Sequence, residues 1–458
     1  MNPRLLGDEM LRWSDLDGAH GPGPARGAAL GPLLAAARGR TLFAGPHDPA
    51  LIDLAPADDL TLLVRGVADG EALAARFPAA TVCVGGLAKF GAEAPFDTVI
   101  ALAGLEALAS AEGVETSWGD SLDLLLDLLR PGGTLLLTVE NHLGLHRLVA
   151  LPGRPADADW TVAGEHDPSR PAGLGRVRDR LGRAAVAYAA YPDPLAPTLV
   201  LEAAELDRED VSGALSALLT RAVEPLGDVL TDPRRLAVSA LRHGAAAALA
   251  PAWILAAGAD ADGGADVHRS LPSGRTLHDL LLRAALGRDL PAVRELLGTW
   301  LDGPAAGVPA DQVVLGPAGE LTAFAPAQDP AAALARFAAD LIDGGYPHPW
   351  PAPQSAAELA VTLAAMTGRE IDPPEPPGGR PGTDVRELLV ARSRLADELA
   401  QARAKQLWYE RMLVDREAEL KRVQRINLVL GATAPARALL SGARAARRTA
   451  RRVLRPRG

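Results

Sequence analysis

The chain has 458 residues, a length that predicts two or three domains rather than one. Its 48% apolar and 23% charged residues are typical of a soluble globular protein, and its formal net charge of −10 argues against nucleic acid as the main ligand. The single cysteine, Cys83, excludes an internal disulfide framework and a multi-cysteine metal site, and it fits a reducing cytoplasm.

Residues 1–205 are predicted to form an α/β domain with a doubly wound, Rossmann-like sheet. The first 21 residues mix acidic with apolar side chains and so differ from a signal peptide. After them, short apolar runs bounded by Gly, Pro or Asp alternate with helical segments, as in a parallel sheet that is buried on both faces. The predicted strands are 40–45, 60–66, 80–86, 96–104 and 133–141, and the predicted helices between them include 70–77 and 120–130.

An antiparallel hairpin is predicted to close this sheet. Residues 183–205 contain two apolar runs joined by a proline-rich turn, with no helix between them. Strands that follow each other in this way pair antiparallel. A parallel sheet that is closed by such a hairpin defines a narrower class of folds than the generic Rossmann fold.

Residues 206–370 are rich in alanine and leucine and are predicted to form a mainly helical domain. Periodicity and glycine stops predict two helices within 276–301 and one within 329–345. The run 244–259 is weakly polar, but it is short and interrupted by proline, which favours a buried helix–turn–strand over a membrane span. Residues 371–383 hold many prolines and glycines and are predicted to be a linker.

Residues 384–430 are predicted to form a coiled coil. With Val385 at heptad position a, ten of the fourteen a and d positions are apolar, and the flanking positions are rich in charge. Gln406 and Asn427, both at position a, would fix the register and a two-stranded state. A homodimer is therefore predicted; the alternative is a single amphipathic helix that lies back on the acidic body.

The basic tail, residues 431–458, has eight arginines and no acidic residue. Its arginines and its alanine- and leucine-rich stripe fall on different faces of a helix. Such a helix suits the surface of an anionic bilayer, which predicts peripheral contact with the inner face of the membrane. The alternatives are a solvated tail and one that folds onto the acidic surface of the chain.

Motifs between residues 95 and 205 resemble those of class I S-adenosylmethionine-dependent methyltransferases. "FDTVIALAGLEAL" is similar to the fourth motif of that family, "LLDLLRPGGTLLLTVEN" to its fifth strand with the preceding turn, and "AYPDPLAPTLVLEAAEL" to its closing strand pair. "ENHLGLHRLVA" resembles a subgroup associated with surface-polysaccharide clusters. The resemblance implies a methyltransferase sheet, S-adenosylmethionine as cofactor and a sugar or glycan intermediate as methyl acceptor.

The resemblance also places the cofactor at the strand ends, where this sequence departs from the family in three positions. The acidic-x-Gly-x-Gly turn is reduced to Gly45, Arg65 replaces the acid that ends the second strand, and Gly85-Gly86 stands where an Asp is common. Lost charge-assisted hydrogen bonds of this kind cost about 1.5 to 3 kcal/mol each. The residues implied near the cofactor are Gly45, Arg65, Gly85, Ala103, Gly104 and Glu106.

The candidate residues on the acceptor side are Glu140, Asn141 and His142, just past the fifth strand. A histidine there could deprotonate a sugar hydroxyl. Alternatively, Asn141 caps the following turn and His142 is exposed. Glu106 either lines the cofactor cleft, or it stands there only because a negative charge is favourable at a helix N-terminus. No metal site is predicted, because His142 and His146 lack the glutamate that the zincin pattern requires.

Two functions follow from these observations. The first is a cytoplasmic S-adenosylmethionine-dependent methyltransferase of a sugar or glycan intermediate. The second is a catalytically inactive methyltransferase-fold scaffold, which dimerises by its coiled coil and docks to a membrane or a glycan-assembly partner. An enzyme requires an open cleft near Gly45 and Glu106, whereas a scaffold can have that cleft filled by side chains such as Arg65 or His47.

Overall fold

The protein is described from a computed structural model, and it comprises two compact units, Met1–Val385 and Arg386–Gly458. Most of the predicted linker, from residue 374 onward, lies outside the residues that the structure describes. Those residues are 2–18, 20, 23–35, 37–91, 94–150, 167–226, 229–258, 271–344, 346, 348–350, 355–373, 385–432 and 434–453.

Nine strands of the described chain form one mixed sheet at the centre of the first unit. In chain order they are β1 Arg4–Gly7, β2 Arg40–Ala44, β3 Asp59–Val64, β4 Thr81–Gly85, β5 Phe96–Ala101, β6 Leu129–Glu140, β7 Ala185–Tyr191, β8 Leu199–Glu202 and β9 Ala252–Ala257. Across the sheet the order is β1-β4-β3-β2-β5-β6-β9-β7-β8. Strands β1 to β6 are parallel to their neighbours, while β9 runs antiparallel to both β6 and β7. All the predicted strands are present, and β1 is additional.

Helices cover both faces of the sheet, as a doubly wound fold requires. Successive residues of β2 face opposite sides: Leu42 packs in a cluster with Leu122, and Phe43 packs in a second cluster with Leu73. Because both faces are buried, the strands are continuous apolar runs rather than alternating ones. The helices of this part are α1 Gly31–Leu34, α2 Pro49–Ile52, α3 Val67–Arg76, α4 Trp118–Asp127, α5 Leu145–Val149, α6 Leu174–Leu181, α7 Ser212–Val223 and α8 Pro233–Arg242.

The predicted hairpin is present, but it does not pair with β6. β7 and β8 pair antiparallel, and β9 lies between β6 and β7. The predicted boundary at residue 205 therefore does not separate the sheet from the later elements, because a strand from the region predicted as mainly helical completes the sheet. The physical reason is that β9 is buried along its whole length and needs a partner on each side.

In the described residues of the first unit, four helices and a small antiparallel sheet come after β9. The sheet has the order β10-β11-β12, and the predicted helices within 276–301 and 329–345 are confirmed. Trp300 lies at the centre of a third cluster, and its indole N–H donates to the Ala305 and Val308 carbonyls. The elements are β10 Arg275–Thr276, α9 Leu277–Leu286, α10 Leu290–Asp302, β11 Val313–Leu315, β12 Leu321–Ala323, α11 Pro330–Asp343 and α12 Ala356–Met366.

A buried ionic cluster connects α8 to these later elements. The Arg234 guanidinium lies 3.1 Å from Asp232, 3.0 Å from Asp340 and 3.8 Å from Asp311. Burial by itself raises the pKa of the Asp232 carboxyl, but Arg234 and Arg235 outweigh it, and the net pKa is lowered. Arg336 also lies 2.8 Å from Asp311 and Arg235 lies 3.6 Å from Asp232, but Arg234 contacts all three carboxylates.

The second unit consists of α13 Val385–Ala432 and α14 Ala434–Val453. These bounds match the two helices that heptad and amphipathic patterns predict. In none of the helices within the described residues is there a segment both long enough and apolar enough to cross a bilayer. The coiled-coil pairing of α13 and the membrane contact of the basic tail stay predictions.

Candidate functional site

The carboxyl ends of β2 to β5 meet at one edge of the sheet. β2 lies between β3 and β5, so the chain order reverses on either side of it, and ligands of open α/β sheets bind at such a switch point. We call this place the switch-point edge and define it by Gly45, Arg65, Gly85 and residues 102–106. The six residues predicted near a cofactor therefore do come to one edge.

Arg65 is buried at this edge and is held by the chain itself. Its Nε and Nη2 donate to the two carboxylate oxygens of Asp15 at 2.8 and 2.7 Å, and its Nη1 donates to the Ala109 carbonyl at 2.8 Å. The guanidinium also lies 5.2 Å from the centre of the Trp13 ring. One side chain thus joins the end of β3, the N-terminal segment and the loop after β5.

The N-terminal segment, residues 8–16, runs over the ends of β4 and β3. The Met10 amide donates to the Arg65 carbonyl at 2.9 Å, and the Val67 amide donates back to Met10 at 3.2 Å. Asp69, in the first turn of α3, accepts from the Ser14 hydroxyl and from the Asp15 amide. These hydrogen bonds fix the segment across the place where a nucleoside would lie in a doubly wound sheet.

His47 fills the space between the ends of β2 and β5. It is buried, with its ring edge-on to Phe43 at 5.1 Å. The Leu102 amide donates to Nε2 at 3.1 Å, so the ring proton is on Nδ1, which donates to the Gly45 carbonyl at 2.9 Å. Burial lowers the pKa of His47 to about 4, and the ring is therefore neutral at physiological pH.

We expect His47 to make the free energy of unfolding depend on pH. Because its pKa is about 4 in the folded state and about 6.5 in the unfolded state, the unfolded chain binds the proton first on acidification. The stabilisation is fully present above about pH 6.5 and is lost as the pH falls through about 4; it amounts to roughly 3 kcal/mol. Urea denaturation of the wild type and of His47→Gln between pH 4 and 7 measures it, and the variant should show a flatter slope.

The matched control for this prediction is His243→Gln, since His243 is exposed. That variant should keep the wild-type dependence on pH. Equal slopes for His47→Gln and the wild type would contradict the buried, neutral state of the ring.

The glycines of the edge make room for the chain's own atoms. Gly45 has φ +94°, and a Cβ there would lie 3.3 Å from a Leu108 methyl group and 3.7 Å from Ala103. Gly85 has φ +145°, and a Cβ there would lie 2.4 Å from the Gly7 carbonyl oxygen. The space beside these glycines, which a ligand would need, is therefore occupied by the loop after β5 and by β1.

The acceptor-side residues divide into a structural member and a charged one. Asn141 is buried; its Nδ2 donates to the Ala248 and Ala250 carbonyls at 2.7 and 2.8 Å, and its Oδ1 accepts from the Leu143 amide at 3.0 Å. Asn141 therefore caps the turn after β6 and fixes the segment that precedes β9. The cap agrees with the alternative in which Asn141 has a structural role. His142 is half-buried, not exposed.

Glu140 is the charged member. Its Oε1 lies 2.9 Å from Arg147 Nε and 3.2 Å from His146 Nε2. Burial by itself would raise the pKa of Glu140, but the hydrogen bond from His146 and the charge of Arg147 outweigh it and lower the pKa to about 2. Glu140 is therefore ionised at neutral pH and is not poised to act as a general acid.

Arg170 joins the two predicted halves of the site, and no motif in the sequence points to it. Its Nη1 lies 2.8 Å from Glu106 Oε1, and its Nη2 donates to the Glu140 carbonyl at 2.9 Å. Glu106 begins a single 3₁₀ turn, Glu106–Leu108, so its carboxylate is placed by Arg170 as well as by a helix end. The result is a closed ion pair at the rim.

A small cavity lies at the outer side of the edge. It has a volume of about 10 Å³ and is lined in part by Asp8, Gly86 and Ser110. This is room for one water molecule, whereas sites for drug-sized ligands occupy roughly 300 to 1,000 Å³.

These contacts decide whether the edge fits S-adenosylmethionine. The resemblance implies a glycine turn after β2, an acid at the end of β3 and another after β4. His47, Arg65 and Gly86 stand there instead, and the first two fill the space between the strand ends. The described residues of the switch-point edge, as arranged here, do not fit this cofactor.

Of the comparisons with known proteins, only the one with solved structures found matches. No family model matches the sequence, and no curated protein matches it. The N-methyltransferase NodS from Bradyrhizobium japonicum WM9, in complex with S-adenosyl-L-homocysteine, is 17% identical over 23% of this chain and 53% of that chain, with a TM-score of 0.18. The amino pentose methyltransferase CalS10 from Micromonospora echinaspora, with bound S-adenosylmethionine, is 21% identical over 28% and 51%, with a TM-score of 0.19.

A third structure is matched over nearly its whole length. It is an S-adenosylmethionine-dependent methyltransferase from Geobacter sulfurreducens in complex with S-adenosyl-L-homocysteine, 14% identical over 54% of this chain and 97% of that chain, with a TM-score of 0.26. The chain spans about half the length of the first two structures. By its own strand order and flanking helices, the nine-stranded mixed sheet fits a Rossmann-like methyltransferase fold.

Proposed function

We propose that this protein is a non-catalytic scaffold built on a methyltransferase-like sheet, whose cofactor edge is closed by its own N-terminal segment. The observation that carries the proposal is the buried ion pair between Arg65 and Asp15. It connects β3, the N-terminal segment and the loop after β5 at the place where the resemblance puts the cofactor's ribose. His47 supports the proposal, since it occupies the neighbouring space beside Gly45.

The energetics favour the closed edge. A ligand that enters must separate Arg65 from Asp15, and breaking a buried pair costs about 3 to 5 kcal/mol. A binding-competent state that lies this far above the ground state reduces the apparent affinity of its ligand by roughly two to four powers of ten. The hydrogen bonds of the N-terminal segment add to that cost.

Calorimetric titration with S-adenosylmethionine tests the proposal. We expect no saturable heat up to millimolar ligand, for the cofactor or for S-adenosyl-L-homocysteine. The same ligand solutions titrated into an active methyltransferase provide the positive control. A saturable isotherm with a Kd below about 1 mM would overturn the closed-edge proposal, because the edge would then admit the ligand.

A second candidate is S-adenosylmethionine-dependent methylation of a sugar or glycan intermediate. The acceptor-side rim favours it: Arg170 ties Glu106 to Glu140, and half-buried His142 comes directly after this rim. In such a reaction the protein mainly orients the acceptor. This candidate requires the edge to open, so the same titration decides between the two.

A scaffold acts through the partners it assembles. In this proposal the first partner is a second copy of the chain, bound through α13. The exposed apolar side chains of that helix support the assignment.

A further inference from the structure

The α13 helix exposes a long row of apolar side chains. It has 48 residues, which corresponds to about 72 Å of helix. In its described part, the large apolar side chains are between 41% and 73% exposed. Contiguous exposure of this kind marks an interaction surface. The exposed residues are Leu395, Leu399, Leu407, Trp408, Tyr409, Met412, Leu413, Val414, Leu420, Val423, Ile426 and Leu428.

We infer that two copies of α13 pair antiparallel, about a twofold axis next to Arg411. The inference deepens the assembly part of the proposed function and rests on it, because it specifies how the scaffold meets its second copy. The heptad seam and the charges beside it carry the argument. In the described part the seam is Arg392, Leu395, Leu399, Ala402, Gln406, Tyr409, Leu413, Arg416, Leu420, Val423 and Asn427.

A parallel, in-register pair would place every seam residue against itself. Arg416 would then face Arg416 of the second copy inside the seam, which brings like charges together where water is excluded. Ala402 would face Ala402 and leave unfilled volume, since two methyl groups cannot span a layer built for leucine. Both features weaken the parallel arrangement.

The antiparallel pair removes both defects. In this orientation an a position faces a d position of the second copy, and the centre at Arg411 determines which residues meet. Arg416 then meets a neutral amide instead of a second arginine, and the small Ala402 meets a large side chain. The facing residues are Leu413 with Tyr409, Arg416 with Gln406, Leu420 with Ala402, Val423 with Leu399, and Asn427 with Leu395, the last being one unfavourable layer.

The flanking charges are compatible with this orientation. Lys405 falls beside Glu419 of the second copy, and Arg403 beside Glu417, and symmetry repeats each pair. Glu410 meets its own copy near the axis, which is one unfavourable contact. Among the described flanking residues, a parallel pair offers a single kind of opposite-charge contact, between Lys405 and Glu410. The flanking charges therefore leave the choice of orientation to the seam, where the antiparallel pair avoids the arginine layer.

This register also uses nearly the whole helix. With the axis at Arg411, residues 390–432 overlap with their counterparts, so few turns of α13 are left without a partner. The two α14 helices, which carry the basic tail, then emerge at opposite ends of the paired helices.

Sedimentation velocity on the full chain tests the pairing itself. We expect the wild type to be a dimer, Leu413→Asp to be a monomer, and Val414→Asp to remain a dimer. Leu413 and Val414 are matched, being 65% and 66% exposed, but only Leu413 lies on the seam. A monomeric wild type, or equal effects of the two substitutions, would overturn the inference and would leave the closed-edge proposal intact.

Cysteine cross-linking tests the orientation. Ala402→Cys and Leu420→Cys are oxidised separately and as an exchanged equimolar mixture, with the wild type as a control for buried Cys83. The antiparallel pair predicts a disulfide-linked dimer in the mixture and little in either variant alone. Self-cross-linking of each single variant would overturn the orientation in favour of a parallel pair. A mixture that fails to cross-link would overturn the register.

Discussion

Replacing Asp15 with alanine is expected to lower the free energy of unfolding by about 3 to 5 kcal/mol. The substitution leaves the Arg65 guanidinium buried without its counter-ion, since the two side chains are only 2% and 9% exposed. It also removes one of the contacts that hold the N-terminal segment over the end of β3. Denaturation with guanidinium chloride, followed by circular dichroism at pH 7, measures the loss.

An exposed ion pair provides the control. Asp53 lies 2.6 Å from Arg76, but these side chains are 44% and 56% exposed, so Asp53→Ala should cost no more than about 1 kcal/mol. The double variant Asp15→Leu with Arg65→Met removes both buried charges and should recover most of the loss. Similar small effects of Asp15→Ala and Asp53→Ala would show that the ion pair does not hold the edge closed.

Replacing Arg234 with methionine is expected to cost a further large amount, again about 3 to 5 kcal/mol at pH 7. Arg234 is 13% exposed and faces three carboxylates, on Asp232, Asp311 and Asp340. Without Arg234, the buried Asp232 and Asp340 carboxylates lose their shared partner and repel each other, while Asp311 keeps its 2.8 Å contact with Arg336. The contact between α8 and α11 then becomes unfavourable.

The effect of Arg234→Met should depend on pH with a definite sign. In the wild type the lowered pKa of Asp232 stabilises the fold above about pH 4, and this contribution is lost as the pH falls through the folded-state pKa. In the variant the carboxylates take up protons more readily, so the stability difference from the wild type should shrink between pH 7 and pH 4.5. Arg283→Met is the control, because Arg283 is 61% exposed. A difference that is independent of pH would contradict the role of the carboxylates.

The parallel half of the sheet can be predicted because its information is local. Runs such as 40–45 and 96–104 are apolar and bounded by turn residues, and each forms a strand. The sequence also predicts the strand within 244–259, but not its place between β6 and β7. A short apolar run indicates burial, whereas its neighbours in a sheet are decided by packing at long range.

The candidate site is predictable to the same extent. The departure at Arg65 is visible in the sequence, and so is the possibility that Arg65 or His47 fills the cleft. The partner of Arg65 is not visible, because Asp15 lies fifty residues earlier in a segment without a motif. Arg170 escapes prediction for the same reason: its contacts with Glu106 and Glu140 connect distant parts of the chain.

The position of β9 has a consequence for how this protein is made. β7 and β8 leave the ribosome before β9, yet they join the rest of the sheet only through β9. Until residue 257 has emerged, the edge of β6 is open, and open strand edges recruit other chains. At roughly 5 to 20 residues per second, synthesis of the chain between β6 and β9 lasts on the order of ten seconds. Residues 141–251 thus set how long the edge of β6 in each nascent chain is exposed to mispairing.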